Sequence, residues 1–391
     1  MNKSQSAPMI ADMHCDTVFR LLQGMDFDDP ESVSHVSLPR LIQGGIGLQV
    51  FACFLNDQLP PEVKAVRVER MLDALHEMVA RYREKIELAI SPEEIDTIVA
   101  SDRIAALFGI ENGAAIDNSL DKLRGYYDRG VRIMTLTHNE SNDWCVSSGD
   151  RDPTFTGLTE FGREVIREMN RLGMIIDISH VAPDSVTAVL EESSAPVVAS
   201  HSCAYALCAH HRNLTDDQIR DIADHGGLIG VNYVGYFLSP HYRDLTDTIV
   251  AEDREMVHRV ERTLRTECTA EEFDIAWARV KPTVDAWNTR LSKTGVSYTT
   301  VADHVDHIVE LVGDDHVGLG SDFDGMLFGP AGLEDCSCLP NLVEELRQRG
   351  YSETSLARVL GQNFRRVFGE IWEARERPIP GTEKVDKPLK Q

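Results

Sequence analysis

The stretch Met9-Ile-Ala-Asp-Met-His-Cys-Asp-Thr17 is an apolar run that ends in two polar side chains, His14 and Asp16. In an extended strand, residues two positions apart leave the same face, so these two side chains point to one place. An imidazole nitrogen and a carboxylate oxygen are both ligands that a divalent metal such as zinc accepts. The stretch therefore predicts a strand with half a metal site at its end. A histidine in a polar loop is the alternative.

Eight stretches of this design occur along the 391 residues, with segments of helical periodicity between them. The apolar runs are nearly continuous instead of alternating, as expected for parallel strands that are covered on both sides. The predicted strands are 9–16, 45–54, 105–111, 131–138, 173–180, 196–202, 227–236 and 316–322. Predicted helices include 61–88, 119–129, 159–172, 182–192 and 215–225. This pattern predicts an α/β protein with a (β/α)8 TIM-like barrel. The alternative is a doubly wound open sheet, but no Gly-x-Gly-x-x-Gly motif follows the first strand.

One segment departs from the alternation of predicted strands and helices. Residues 239–300 are polar and helical in pattern, and they are much longer than a usual connection. We therefore predict a helical insertion after strand 7 within one domain of residues 1–375, followed by a C-terminal tail at 376–391. The insertion would cover the barrel mouth or meet a second subunit, or it is structural decoration without catalytic groups.

Composition excludes some classes of partner. With 39 basic and 64 acidic residues, the net charge of −25 repels phosphate backbones and anionic lipids, so we expect no nucleic acid and no membrane partner. No run of about 18 apolar residues occurs, and the first residues do not form a signal peptide. The eight cysteines lack Cys-x-x-Cys spacing. We expect a cytoplasmic protein with reduced thiols.

Side chains at the carboxyl ends of parallel barrel strands converge on one mouth. Here these ends carry four histidines and three carboxylates: His14, Asp16, Glu111, His138, His180, His201 and Asp322. A single catalytic zinc takes about three protein ligands plus water. Seven groups therefore indicate two metal ions, which can activate a shared water and polarise the oxygen of a carbonyl. Hydrolysis at a carbonyl is the predicted reaction.

Six motifs extend this pattern over most of the chain. They are Asp12-Met-His-Cys-Asp16, the block that runs from Ile110-Glu-Asn-Gly-Ala-Ala-Ile116 through Leu123 and Tyr127 to Gly130-Val-Arg-Ile-Met-Thr-Leu-Thr-His138, then Ile176-Asp-Ile-Ser-His180, Ser200-His-Ser202, Arg212-Asn213 and Gly320-Ser-Asp-Phe-Asp-Gly325. In residue type and spacing, from about residue 9 to about 375, the chain resembles the membrane (renal) dipeptidase family. This family comprises zinc metallopeptidases of the amidohydrolase-like superfamily.

The resemblance implies a ligand set for two Zn²⁺ ions per chain. His14 and Asp16 would hold one ion, His180 and His201 would hold the second, and Glu111 would bridge both. The chemistry of the residue agrees about the bridge, since a carboxylate has two oxygens with which to span two ions.

The resemblance also implies catalytic and substrate-binding roles. Asp322 would take the proton of the hydroxide that bridges the ions and deliver it to the leaving amine. His138 would hydrogen-bond the developing oxyanion, and its alternative role is one more zinc ligand. Arg212 would clamp the substrate's terminal carboxylate, with an ordinary loop arginine as the alternative. Tyr233 and Asn142 are further candidates for the substrate pocket, and a surface or packing role is the alternative for each.

The implied activity is a metal-dependent dipeptidase for L-Xaa-L-Xaa and L-Xaa-D-Xaa dipeptides, with β-lactam opening as a side activity. The family also suggests homodimers. The alternatives are a binuclear amidohydrolase acting on a lactone, phosphoester or N-acyl amino acid, and a non-catalytic metal-binding barrel. Two features depart from the family: Asn112 stands where glycine is usual, and the segment 239–300 is longer than expected, which leaves substrate size and access open.

Overall fold

The fold is built on a closed barrel of parallel strands. A computed structural model describes residues 9–375, so the predicted tail at 376–391 lies outside the described residues. The strands are β1 (Ile10–Cys15), β2 (Ile46–Phe54), β3 (Ile86–Leu88), β4 (Ile104–Glu111), β5 (Val131–Thr135), β6 (Ile175–Asp177), β7 (Val198–Ala199), β8 (Leu228–Val231) and β9 (Val317–Leu319). The barrel runs in the order β1, β2, β4, β5, β6, β7, β8, β9 and closes by pairing of β9 with β1. The predicted (β/α)8 TIM-like barrel is confirmed.

One short strand was missed. β3 pairs with Ile104–Ala106 at the start of β4, where β5 does not yet reach, because β5 begins to pair at Phe108. The sequence pattern assigned the whole of 61–88 to one helix, but that helix ends at Arg81. A strand of three residues is too short to show its own periodicity, so its pairing with β4 decides its conformation.

Helices surround the barrel and begin where the sequence carries start signals. The side chain of Ser91 accepts a hydrogen bond from the Glu94 amide, and Thr215 forms a capping box with Gln218. The helices are α1 (Val18–Leu22), α2 (Leu38–Gly44), α3 (Pro61–Arg81), α4 (Pro92–Val99), α5 (Leu120–Asp128), α6 (Glu160–Leu172), α7 (Pro183–Glu192), α8 (Asp216–Asp224), α9 (Gly235–Leu238), α10 (Pro240–Glu252), α11 (Arg254–Arg265), α12 (Ala270–Leu291), α13 (Tyr298–Val312), α14 (Leu339–Gln348), α15 (Glu353–Ala357) and α16 (Asn363–Ala374).

Two apolar layers hold the barrel together. Inside it, Met13, Leu48, Leu107 and Ile133 pack from different strands. Outside it, a larger core lies between the strands and the helices. None of the helices in residues 9–375 has the length and apolar character needed to cross a bilayer.

The insertion after the seventh barrel strand, β8, consists of α10, α11 and α12. It has a small core of its own, in which Ile249, Val260, Val284 and Trp287 are buried together. The predicted boundary at residue 300 falls inside α13, which packs on α8, β8 and β9 as the regular barrel helix. The insertion therefore ends before α13.

His304 on α13 offers a test of how burial couples stability to pH. Its Nδ1 accepts a hydrogen bond from the Ala204 amide at 3.1 Å, and its Nε2 donates to the Leu238 carbonyl at 3.1 Å. Burial lowers the pKa of His304 to about 4. In the unfolded chain a histidine has a pKa of about 6.5. At a pH between these two values, His304 is therefore protonated in the unfolded state and neutral in the folded state.

We expect the His304 contribution to be complete above about pH 6.5 and to be lost as the pH falls toward 4. Between pH 7.5 and pH 5 the wild type should lose about 2 kcal/mol more unfolding free energy than His304→Asn. Urea unfolding at both pH values measures this difference. His258→Asn, at an exposed position on α11, should follow the wild type. Equal losses in the wild type and His304→Asn would contradict the prediction.

Candidate metal centre

Irregular backbone at the strand ends aims the predicted ligands into the barrel mouth. Along β1 the register with β2 gains one residue between Asp12 and Cys15, which is a β-bulge. Such a bulge re-aims the side chain it contains, here His14. His180 and Asp322 follow β6 and β9 with φ of 69° and 63°. Left-handed backbone is uncommon for residues other than glycine and concentrates at functional sites.

Glu111, the last residue of β4, stands at the middle of the group. Its Oε2 lies 3.6 Å from His14 Nε2. Its Oε1 lies 3.0 Å from His180 Nε2 and 3.5 Å from His201 Nε2. Asp16 Oδ1 is 3.7 Å from His14 Nε2. The structure thus brings together the five predicted metal ligands, and each oxygen of Glu111 faces a different part of the set.

A buried hydrogen-bond network determines which nitrogen of His201 carries the proton. The hydroxyl of Ser200 donates to Asp177 Oδ2 at 2.6 Å and lies 2.7 Å from His201 Nδ1. Because the single hydroxyl proton goes to Asp177, the Ser200 oxygen must accept the proton of Nδ1. His201 Nε2 is then unprotonated, and its lone pair points toward Glu111. A lone pair facing a carboxylate oxygen is repulsive unless a cation lies between them.

Unpartnered atoms give an independent test of whether a metal fits. His14 Nε2 and Asp16 Oδ1 are buried without a hydrogen-bond partner among residues 9–375. Buried polar atoms are usually paired, so such atoms in a cluster of nitrogen and oxygen donors suit a metal ion. His14, Asp16 and Glu111 offer ligand atoms within 4.8 Å of one another. The residues present fit a divalent cation.

The charges of the cluster favour the same cation. Burial lowers the pKa of His180 well below its usual value, aided by Arg212, and burial with His14 lowers that of His201 to about 4. Both imidazoles are therefore neutral, which is the form that binds metals. Burial opposes ionisation of Glu111, but the charge of His14, together with hydrogen bonds from His14, His180 and His201, holds the pKa of Glu111 well below its usual range. The site thus keeps the Glu111 carboxylate beside the neutral imidazoles of His180 and His201. Burial lowers the pKa of His14, but Glu111 and Asp16 hold it well above its usual value.

Asp322 lies beside this cluster with a partner of its own. Its Oδ2 accepts a hydrogen bond from Asn232 Nδ2 at 2.9 Å. Burial raises the pKa of Asp322 to about 7; His14 opposes the shift, while Asp16 and Glu111 add to it. A carboxyl group with a pKa near neutrality can both accept and return a proton.

His138 is oriented by a residue that sequence reasoning did not find. Its Nδ1 donates to Asp57 Oδ2 at 2.7 Å, and Asn112 Nδ2 donates to Asp57 Oδ1 at 2.7 Å. Asn112 has a φ of 89°, a left-handed backbone that glycine adopts without a steric penalty. Its side chain adds the contact to Asp57 that glycine cannot make. His138 is thereby held with its ring 4.6 Å from that of His180.

Of the four predicted substrate-binding residues, His138 lines the cavity above the site, whereas Arg212, Tyr233 and Asn142 do not. Arg212 is buried behind His201, donates Nη2 to the His201 carbonyl at 3.2 Å, and leaves Nε without a partner among residues 9–375. Tyr233 is buried with its ring 5.7 Å from that of Phe323. Asn142 binds backbone atoms of its own loop, including the Leu136 carbonyl at 2.8 Å. Their substrate contacts stay predictions.

Two of the missed residues carried a signal in the sequence. Asn232 is the first polar residue after β8, at the strand end where the other candidates were found. Asp57 lies three residues after β2. No metal ligand and no proton-transfer group had been predicted at the ends of the second and seventh predicted strands. Asp57 and Asn232 follow the corresponding strands of the structure, β2 and β8.

Gly325 provides a test of how tightly the carboxylates are packed. A Cβ atom at Gly325 would overlap Asp322 Oδ1 and Asp16 Oδ2. We expect Gly325→Ala to lower kcat/KM about 10²-fold, because displacing a reacting group by about 1 Å costs this much. Steady-state kinetics and zinc analysis measure the effect. Gly125→Ala on α5, where a Cβ meets nothing within 4 Å, should leave kcat/KM unchanged. Equal activity of the two variants would contradict the packing argument.

Comparison with known proteins agrees with this geometry. A family model described as membrane dipeptidase, peptidase family M19, matches residues 2–378. Dipeptidase aclJ of Aspergillus oryzae is 32% identical over 352 residues, which cover 88% of this chain and 72% of that protein.

Solved structures show the same fold. Dipeptidase AC, a metallopeptidase of family M19, superposes with a TM-score of 0.74 at 25% identity and covers 94% of this chain and 99% of its own. A metallopeptidase of Rhodobacter sphaeroides, liganded with a phosphinate mimic of the dipeptide L-Ala-D-Ala, has a TM-score of 0.74 at 24% identity, covering 94% and 100%. The chain therefore belongs to the membrane dipeptidase family, peptidase family M19, and is a metallodipeptidase.

Proposed function

We propose that the protein hydrolyses the amide bond of L-Xaa-L-Xaa and L-Xaa-D-Xaa dipeptides with two Zn²⁺ ions per chain. The observation that carries this proposal is the position of Glu111. One of its oxygens is 3.6 Å from His14 Nε2 and the other is 3.0 Å from His180 Nε2. A carboxylate with a different imidazole on each oxygen is the arrangement that two neighbouring cations require.

The ligand set divides into two halves. His14 and Asp16 would hold one zinc ion, His180 and His201 would hold the other, and Glu111 would contribute to both. When bound, a pair of zinc ions lowers the pKa of a water molecule toward neutrality and polarises the carbonyl that the water attacks. The remaining steps belong to the chain's own residues.

Asp322 would accept the proton of the attacking water and deliver it to the leaving amine. The hydrogen bond from Asn232 fixes the carboxyl group, so that one oxygen stays free for the proton. General acid and base catalysis of this kind contributes roughly 10²- to 10⁴-fold. A group that first accepts and then returns a proton is required, because the products carry a protonated amine and a new carboxylate.

His138 would stabilise the negative charge that develops on the carbonyl oxygen. Asp57 accepts the proton of Nδ1, which fixes the ring and turns the Nε2 edge away from Asp57. A donor held in place before the reaction stabilises the transition state without reorganisation. The neighbouring Phe54 ring, 4.8 Å away, packs against the imidazole and holds its other side.

The tolerance for a D residue on the carboxyl side is supported by the family resemblance and by the Rhodobacter sphaeroides structure with its L-Ala-D-Ala mimic. Cytoplasmic location and a homodimer stay predictions. All eight cysteines are free in the part of the chain that the structure describes, which supports a reducing compartment. Light scattering of the purified protein would test the dimer.

The experiment combines metal analysis with a substrate panel. Purified protein is expected to bind two zinc ions per chain and to hydrolyse L-Ala-L-Ala and L-Ala-D-Ala, but not the corresponding tripeptides. A chelator should remove activity, and zinc should restore it. Turnover of a lactone, a phosphoester or an N-acyl amino acid in preference to every dipeptide would overturn the proposed substrate class. A single zinc ion with full activity would overturn the two-metal proposal.

A further inference from the structure

One cavity of about 560 Å³ opens directly above the metal-ligand cluster. Its polar floor is formed by Asp16, Glu111, His138, His180 and Asp322. A dipeptide bound for hydrolysis must place its amide bond on this floor. The rest of the cavity is then available to the side chains of the substrate.

A second part of the cavity lining, its wall, belongs to the insertion and is mostly apolar, with Thr246, Glu261 and Arg265 beside the apolar residues. We call this wall the apolar chamber, and it is formed by Ile249, Val250, Val257, Val260, Leu264 and Trp287. On α11, Val257, Val260 and Leu264 are three and four positions apart, so this helix turns an apolar stripe to the cavity. The adjacent residues Ile249 and Val250 of α10 lie beside this stripe. Val250 is 36% exposed although it lines the cavity. The insertion therefore leaves apolar surface uncovered at Val250, in the cavity that also contains the reaction site.

The volume of the cavity supports an occupant with a side chain larger than that of alanine. Sites that enclose drug-sized ligands have volumes of roughly 300–1,000 Å³. The cavity falls within this range, whereas the methyl groups of Ala-Ala would fill little of it. An aromatic or branched aliphatic side chain would cover the exposed part of the wall and remove both surfaces from water.

Most of the charged groups around the wall have a protein partner or face solvent. Arg67 pairs with Glu267 at 3.0 Å, and Arg20 donates to the Leu264 carbonyl at 3.3 Å. Arg265 is exposed and lies over the Phe54 ring, with its guanidinium carbon 5.6 Å from the ring centroid. The pairing of Arg67 is incomplete, since its Nε is buried without a partner among residues 9–375. Glu261, which also lines the cavity, is exposed.

We propose that the apolar chamber is a side-chain subsite and that the enzyme selects dipeptides carrying one bulky apolar side chain. This inference rests on the proposed dipeptidase function and adds its substrate class. It assigns the insertion a role in specificity, through contacts that α10, α11 and α12 make with the substrate. A dipeptide with a large apolar residue gains these contacts, and Ala-Ala does not.

The test compares L-Phe-L-Ala, L-Ala-L-Phe and L-Ala-L-Ala. For the wild type, kcat/KM for the better Phe dipeptide should exceed that for Ala-Ala about tenfold to a hundredfold, as contacts in an apolar pocket allow. Val250→Trp and Val257→Trp fill the chamber and should lower this ratio at least tenfold. Ile275→Trp is the matched control, because Ile275 is an exposed apolar residue of α12 that does not line the cavity. It should keep the wild-type ratio.

Binding without turnover separates this inference from the proposed function. Calorimetry with the zinc-loaded Asp322→Asn protein should show tighter binding of a Phe dipeptide than of Ala-Ala, again by about tenfold or more. The added Val257→Trp change should abolish that difference. Equal affinity for all three dipeptides, or a preference that both tryptophan variants retain, would overturn the subsite. If the binding preference is found but zinc-loaded wild type hydrolyses no dipeptide, the subsite stands and the proposed function fails.

Discussion

Glu111→Gln should lower kcat/KM for dipeptides by about 10³-fold or more and reduce bound zinc below two ions per chain. The carboxylate of Glu111 is the group that lies within 3.6 Å of His14, His180 and His201 together. An amide keeps the shape but loses the charge, and its NH₂ end is a donor that faces a lone pair or a cation. Metal ions contribute several kcal/mol to such a reaction, and about 1.4 kcal/mol corresponds to a factor of ten.

The measurement needs zinc content and kinetics from the same preparation. Glu69→Gln makes the same chemical change at an exposed ion pair with Arg129 and should keep full activity, since surface pairs contribute about 0–1 kcal/mol. Circular dichroism should show that Glu111→Gln is folded. A folded Glu111→Gln protein with two zinc ions and activity within tenfold of the wild type would remove the basis for a bridging role.

Asp322→Asn should lower kcat about 10²- to 10⁴-fold while zinc content stays at the wild-type level. The substituted amide oxygen can still accept the hydrogen bond from Asn232, so the side chain keeps its position. It can no longer accept and return a proton. Because the loss occurs in the chemical step, KM should change much less than kcat.

Asp315→Asn is the matched control for the second prediction. Asp315 is a half-exposed residue paired with Arg358, far from the cavity lining, and its amide variant should retain kcat. Single-turnover experiments would confirm that the affected step is hydrolysis. If Asp322→Asn retained kcat within threefold, or if its loss followed a loss of zinc, the proton-transfer role would be wrong.

Much of the fold was predictable because its signals are local. Each of the eight barrel strands is an apolar run, and the side chains of Ser91 and Thr215 cap the helices that follow them. The missing strand, β3, has no such signal, because three residues do not establish a period and only the open edge of β4 selects their conformation.

Less of the site than of the fold could be predicted from the sequence. A parallel barrel places strand ends at one mouth, so the identity of His14 or Glu111 at a strand end was enough to propose them as ligands. Asp57 and Asn232 were not found, because their roles depend on the partner across the mouth instead of on their own position. Asn112 looked like a departure from the family, yet its side chain joins Asp57 to the backbone beside Glu111.

The sequence by itself determined the eight barrel strands, the candidate ligands that end them, and the presence of an insertion. These properties follow from composition and periodicity over a few neighbouring residues. Tertiary structure decided the β-bulge that turns His14 inward, the tautomer that Ser200 imposes on His201, and the placement of the apolar face of α11 above the site. Each of these depends on contacts between residues far apart in the chain, and such contacts exist only once the barrel has closed.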